Sequence, residues 1–304
     1  MKKIIFLLFV VSKISLSAVF NPYDLKWYLL INNAPWRPRD SGYAFVFKDK
    51  IYLLGGLDAN GYVKNSKVYY NKAKHFNDIW STEDGLRWLR IENKAKWPPR
   101  RSMSVVNFKN RLFMMGGWSP ISGYQSDIWV SSDAKNWYLL LKKAPWEARE
   151  GQVVLVFKDK IWLIGGVNYN KRKVMNDIWY SEDGVNWKQA VKNAPWQPRW
   201  DHAIAVFKDK LFLIGGMDLK GNIFSDIWMS DDGINWKLVN KNASFGSRQG
   251  HCLVEYKGYL FLIGGLNDES NNKNEIWFSD DGFSWFKINS NPIWEGREDL
   301  HCVV

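Results

Sequence analysis

The chain has 304 residues, 46% of them apolar and 24% charged, with a formal net charge of +11. That balance excludes a disordered or low-complexity chain and suffices for a sizeable core. The positive charge is spread over the whole length, which is compatible with affinity for acidic surfaces or glycans, while the exported destination expected below argues against nucleic acid as a partner. Aromatics are the anomaly, at 16% with 19 tryptophans.

The first segment, "MKKIIFLLFVVSKISLSAVF", has Lys2 and Lys3, an apolar run from Ile4 to Val11, and small residues at Ser15, Ser17 and Ala18. That order is expected of a cleavable signal peptide over residues 1–18, with a run too short to span a bilayer. No later stretch offers 18 consecutive apolar residues. The expectation is a secreted or periplasmic, monomeric domain over 19–304, with a net charge of about +8 once the leader is removed.

"LKWYLL" (25–30) then reads as a spare strand, followed by a unit that recurs five times. Its glycine pairs are Gly55-Gly56, Gly116-Gly117, Gly165-Gly166, Gly215-Gly216 and Gly264-Gly265, spaced 61, 49, 50 and 49 residues apart. In the fourth unit "HAIAVF" and "LFLIGG" flank the polar turn "KDK", and "DIWMS" and "WKLV" flank "DDGIN". These are four short strands and no helix, with Gly233 free to take the positive backbone angle of a hairpin. Ala134 replaces that glycine in the second unit, so the turn there is expected to be looser or strained. "WEGREDLHCVV" (294–304) begins a sixth unit that lacks its two middle strands.

Four-stranded units of about 50 residues point to β-propeller blades. The glycine pair, the R-x-x-H start at Arg199–His202 and Arg248–His251, and the downstream tryptophan resemble kelch repeats over roughly residues 25–304. The expected fold is an all-β, kelch-type propeller of five complete blades plus a partial sixth built from both termini. The S-x-D-G-x-x-W turn is also similar to the Asp-box of sialidases, but one residue shorter, which marks a shared hairpin solution. In such a fold Trp80, Trp129, Trp179, Trp228 and Trp277, and the set Trp88, Trp137, Trp187, Trp236 and Trp285, fill the wedges between blades.

Function is expected where the repeat is broken. The second-to-third loops vary ("LDANGYVKNSKVYYNKAKHF", "WSPISGYQ", "VNYNKRKV", "MDLKGNI", "LNDESNNKN"), whereas the turns at the other end are short and repetitive. Trp118, Tyr124, Tyr169 and Trp200 have no aromatic counterparts at matched positions and are the candidate contacts for a protein or glycan ligand, together with Arg199, His202, Arg248 and His251. The repeating arginines, Arg39, Arg100, Arg149, Arg199, Arg248 and Arg297, either form an anion-attracting ring or pair structurally with Asp78, Asp127, Asp177, Asp226 and Glu275. His202 and His251 invite a metal hypothesis, but matched positions supply only two ligands of the three or four needed. No cofactor motif and no nucleophile–base arrangement is present, so no catalytic residue is assigned. Kelch-like propellers also include galactose oxidase and sialic-acid mutarotases, so a carbohydrate-active enzyme is the alternative to a non-catalytic binding scaffold. Cys252 and Cys302 lie one repeat apart on equivalent strands. An oxidising destination permits a disulfide, but the distance between such strands argues against one.

Overall fold

In a computed structural model of the chain, residues 20–58, 63–64, 67–68, 70–289 and 294–304 are described. The leader-like segment 1–18 lies outside the described residues. They fall into two compact units, 33–200 and 20–32 with 201–304.

The first unit holds three four-stranded antiparallel blades. Blade 1 comprises Tyr43–Phe47, Lys50–Leu54, Ile79–Thr82 and Leu89–Glu92. Blade 2 comprises Ser104–Phe108, Arg111–Met115, Ile128–Ser131 and Tyr138–Leu141. Blade 3 comprises Val153–Phe157, Lys160–Asn168, Lys173–Ser181 and Trp187–Val191. The second unit holds blade 4 (Ala203–Phe207, Lys210–Ile214, Ile227–Ser230, Trp236–Asn240) and blade 5 (Cys252–Tyr256, Tyr259–Ile263, Ile276–Ser279, Phe286–Lys287). The fold class is the β-propeller that the repeat predicts.

The unbroken apolar runs of the second strands follow from burial on both faces. In Arg111–Met115, Leu112 and Met114 pack toward blade 1 while Phe113 and Met115 pack toward blade 3, as the two-residue period of a strand requires. Aromatic trios close three of these wedges. Trp36 meets Trp88 at 4.6 Å and Trp80 at 5.8 Å, Trp146 meets Trp187 at 4.3 Å, and Phe245 meets Trp285 at 5.3 Å. The tryptophans that open or immediately precede the fourth strands are all buried, whereas Trp179, Trp228 and Trp277 on the third strands are half-buried.

The acidic turns form one hairpin repeated. In blade 4 the Ser230 hydroxyl accepts from the Gly233 N–H at 2.8 Å, and Asp232 accepts from the N–H groups of Ile234 and Asn235 at 2.8 and 2.7 Å. The Trp236 indole closes the loop on the Gly233 carbonyl at 3.1 Å. Ala134 keeps the same closure, with Trp137 donating to its carbonyl at 2.9 Å and φ at +62°. The turn is therefore strained rather than looser, at a cost of about 1–2 kcal/mol. Its methyl group is buried among Tyr52 and Phe45, whose rings lie parallel at 5.4 Å. A methyl at Gly184 would instead fall on the ring of Phe113, so glycine is required there on two counts.

Blades are joined edge to edge through the glycine pairs. The N–H of the second glycine donates to the carbonyl of the next repeat's arginine: Gly56 to Arg100 at 2.9 Å, Gly117 to Arg149 at 2.8 Å, Gly216 to Arg248 at 2.8 Å and Gly265 to Arg297 at 2.7 Å. The last of these places residues 294–304 in the position of a sixth blade, although no strand forms over 25–30 or 300–304. Packing holds this partial blade. Trp27 meets Trp294 at 5.2 Å, and Phe20 meets Tyr256 at 5.6 Å.

The cysteines depart from expectation. Cys252 and Cys302 are joined, with their Cα atoms 6.0 Å apart. Strand-to-strand spacing does not apply, because Cys302 lies in an irregular terminal segment laid against the innermost strand of blade 5. Replacing both by serine should cost at most about 4 kcal/mol, the loop-closure term for the 50-residue separation. Calorimetry checks this: reductant should lower the melting temperature of the wild type and leave that of the double variant unmoved.

The turn carboxylates set the acid limit. Burial alone would push the Asp232 carboxyl up, but the Asn235 and Ile234 N–H groups and the Ser230 hydroxyl outweigh it and lower it to about 2. Asp84, held by the N–H groups of Arg87 and Leu86, also lies well below the usual range, as does Asp183. A depressed native value means stabilisation that is complete above the ordinary value of 3.8 and is lost as pH falls toward the native one. Stability followed by tryptophan fluorescence should therefore fall between about pH 4 and about pH 2. Asp232→Ala should destabilise the protein at pH 7 and hardly at all near pH 2.

A candidate binding face on the variable loops

The repeating arginines that open the five complete blades are buried, and those of blades 1, 2, 3 and 5 are tied to the predicted acids. Arg100 donates two hydrogen bonds to Asp127 (2.6 and 2.7 Å) and one to the Gly116 carbonyl at 3.1 Å. Arg39 does the same with Asp78 and Gly55, and Arg149 with Asp177 and Gly165. In blade 5 Arg248 pairs with Glu275, which also accepts from Lys287 at 2.7 Å. A third donor completes each acid: the indoles of Trp80, Trp129, Trp179 and Trp228 donate to Asp78, Asp127, Asp177 and Asp226 at 2.7–2.8 Å. The spacing D-I-W places both side chains on one strand face, which makes this bond possible. These arginines are structural ties.

Arg199 (0% exposed), Trp200 (5%), His202 (5%), Arg248 (2%) and His251 (6%) are thus all buried. Burial, reinforced by Arg248, lowers His251 to about 3, so it is neutral at physiological pH. No group of three or more potential metal ligands occurs among the described residues.

The loops of the first unit meet over a different set of residues. In loop 1, between the middle strands of blade 1, Leu57–Asp58 pairs with Lys74–His75, and a small hairpin pairs Val63–Lys64 with Lys67–Val68. In loop 2, from blade 2, Trp118 and Tyr124 are cross-strand partners. In loop 3, from blade 3, the two middle strands run on to Asn168 and Lys173, capped by the 3-10 turn Tyr169–Lys171. At the centre Arg101 forms a two-pronged pair with Glu150, both bonds at 3.0 Å. The Arg101 guanidinium lies 4.1 Å from the Tyr70 ring centre and 5.3 Å from that of Trp118. The Tyr124 hydroxyl donates to Glu150 at 3.4 Å, and the Trp118 ring lies 5.2 Å from His75. Tyr169 stands edge-on to Trp200 at 5.5 Å.

Burial pushes the Glu150 carboxyl up against the pull of Arg101, and burial together with Glu150 raises Tyr124 to about 12. His75 is lowered to about 4 by burial and stays neutral, with Nδ1 3.0 Å from the Ala73 carbonyl. This interior is closed, and the Nε2 of His75 is buried in it without a hydrogen-bond partner among the described residues. What it presents outward are Tyr70, Tyr169 and Ile121, at 42%, 45% and 77% exposure.

Of the predicted contacts, the structure brings Trp118, Tyr124, Tyr169 and Trp200 into this one unit, with Trp118 and Tyr124 half-buried and Tyr169 exposed. His202, Arg248 and His251 belong to the second unit. Sequence reasoning passed over Tyr70, Arg101 and Glu150. The signal was present: the residue after each repeating arginine runs Asp40, Arg101, Glu150, Trp200, Gln249, Glu298. Complementary partners at that position pair across 49 residues, as Arg101–Glu150 and as Gln249–Glu298 at 2.7 Å.

Repeating four-stranded blades, arginine–carboxylate ties and divergent loops at one end define a kelch-type propeller, a scaffold type used for protein binding. Residues 69–265 match the KLHDC2/KLHL20/DRC7 Kelch-repeats domain, and the chain belongs to that family. No curated protein matches the chain.

The ties make a firm expectation. Asp127→Ala should destabilise the protein by about 3–5 kcal/mol, because it strands the Arg100 guanidinium without its counter-charge. Adding Arg100→Met should recover much of the loss in urea unfolding at neutral pH.

Proposed function

We propose that this chain is an exported, non-catalytic scaffold that recognises a protein or glycan through the variable loops of its first unit. The observation that carries the reading is the contrast between the two ends of the blades. At one end the same turn recurs with the same hydrogen bonds. At the other, three loops of unlike length and sequence converge on the Arg101–Glu150 pair and turn Tyr70, Ile121 and Tyr169 outward. Exposed aromatics on rigid supports suit a polar ligand with flat or apolar parts.

Export rests on the leader pattern at 1–18 and agrees with a disulfide between the only two cysteines. Among the described residues no helix is long and apolar enough to cross a membrane. Trp200 supports Tyr169 from beneath, so its replacement reads stability rather than recognition.

Glycan and peptide arrays probed with the wild type and with Tyr70→Ala/Tyr169→Ala test the reading. The wild-type signals should vanish in the variant while its melting temperature stays within a few degrees of wild type, as expected for partly exposed side chains. Signals that survive, but are lost on altering the Lys109 and Lys158 turns, would move the site to the other end of the blades.

A further inference from the structure

The exposed side chains of the first unit's loops are strongly one-sided in charge. Lys72 and Lys74 in loop 1, and Arg172 and Lys173 in loop 3, are all exposed. The carboxylates nearby have partners of their own. Asp58 is buried and faces Arg37 at 3.9 Å, Glu150 is buried and taken by Arg101, and Glu147 is held by Lys171 at 2.7 Å. Asp40 is half-buried and accepts from the Ser41 hydroxyl. Loop 2, "WSPISGYQ", carries no charge at all and presents Ile121.

The corresponding loops of the second unit differ in sign. There Asp218, Asp268 and Glu269 stand against Lys220 and Lys273. Asp218 is largely consumed by its own turn, accepting from the N–H groups of Lys220 and Asn222, while Asp268 and Glu269 are exposed.

Resting on the reading that the first unit's loops form the binding face, we propose that their partner is an acidic protein segment. Its carboxylates meet Lys72, Lys74, Arg172 and Lys173, and an aromatic or aliphatic side chain of the segment packs on Tyr70, Ile121 and Tyr169. Charge complementarity selects the first unit over the second and speeds encounter, and the apolar contacts add the specificity that loose surface charge lacks. The apolar component favours a polypeptide over a sulfated glycan, which offers no side chain of that kind.

The test uses the full chain and a fluorescein-labelled random copolymer of glutamate and tyrosine, titrated by anisotropy at low and at physiological salt. Charge reversal at Lys72, Lys74, Arg172 and Lys173 together should weaken binding by about tenfold or more, and added salt should weaken wild-type binding in the same direction. Lys109→Glu/Lys158→Glu, at the opposite ends of the blades, should change it less than about twofold. Equal weakening by both charge variants, or no binding by the wild type, overturns the proposal. So does heparin binding more tightly than the copolymer and depending on the same four residues, which identifies a sulfated glycan instead. If Tyr70→Ala/Tyr169→Ala abolishes copolymer binding but the fourfold charge reversal does not, the loop face stands and its acidic partner does not. Binding indifferent to both loop variants removes the loop face itself. Melting curves of every variant separate these results from loss of folding.

Discussion

One carboxylate per blade carries the architecture. Asp127 accepts from both ends of the Arg100 guanidinium and from the Trp129 indole, while Arg100 also reaches the carbonyl of the first glycine. The arginine's own carbonyl receives the second glycine of the preceding blade, Gly56. A single residue thus fixes the third strand, the glycine turn and the neighbouring sheet. Buried charge is costly, and it is tolerated here because nearly every donor has an acceptor. The ion pair adds less raw stability than an apolar core of equal volume could. What it supplies is register: a blade slipped by one residue would leave a guanidinium buried without its acid, a penalty that apolar contacts alone do not impose.

That division of labour explains what could be read from the chain. Five recurrences of the glycine pair, with D-I-W in four units and E-I-W in the fifth, mark the strands and the turns and offer the pairing of arginine with acid as one of two readings. Each belongs to a local pattern, and local patterns survive translation into a linear sequence. The indole–carboxylate bond is equally local, but it follows only when the tryptophan N–H is counted as a donor and not merely the ring as an apolar filler. The disulfide failed for the opposite reason. Its geometry depends on Cys302 leaving the strand template, and a template extrapolated from complete blades places the two cysteines too far apart.

The loop cluster of the first unit was legible only in part. Trp118, Tyr124, Tyr169 and Trp200 stand out because they break the repeat, and the structure does gather them in one unit. Burial could not be read in the same way. Trp200 sits beneath Tyr169 rather than beside it, and Arg199 is fully enclosed. Tyr70 was hidden by the length of its loop, which admits no register with the shorter ones. Arg101 and Glu150 were hidden because neither resembles its counterpart in other units, and their meaning appears only when successive repeats are laid side by side.

The loops are free to carry such different chemistry because the blades do not need them. Backbone bonds that anchor each loop are made at its ends: the Phe76 N–H donates to the Gly56 carbonyl, and the Gln125 N–H to that of Gly117, both at 2.9 Å. Between those anchors the chain can lengthen, as in loop 1, or extend into a capped pair of strands, as in loop 3, without touching the arginine ties. A cluster such as Tyr70–Arg101–Glu150–Tyr124 then joins residues of two unlike loops to the positions beside Arg100 and Arg149, with each loop anchored by an equivalent backbone bond. Positions whose identity the scaffold does not dictate are the ones at which a ligand can be the reason for a side chain, and in this unit those positions carry lysine, arginine and tyrosine.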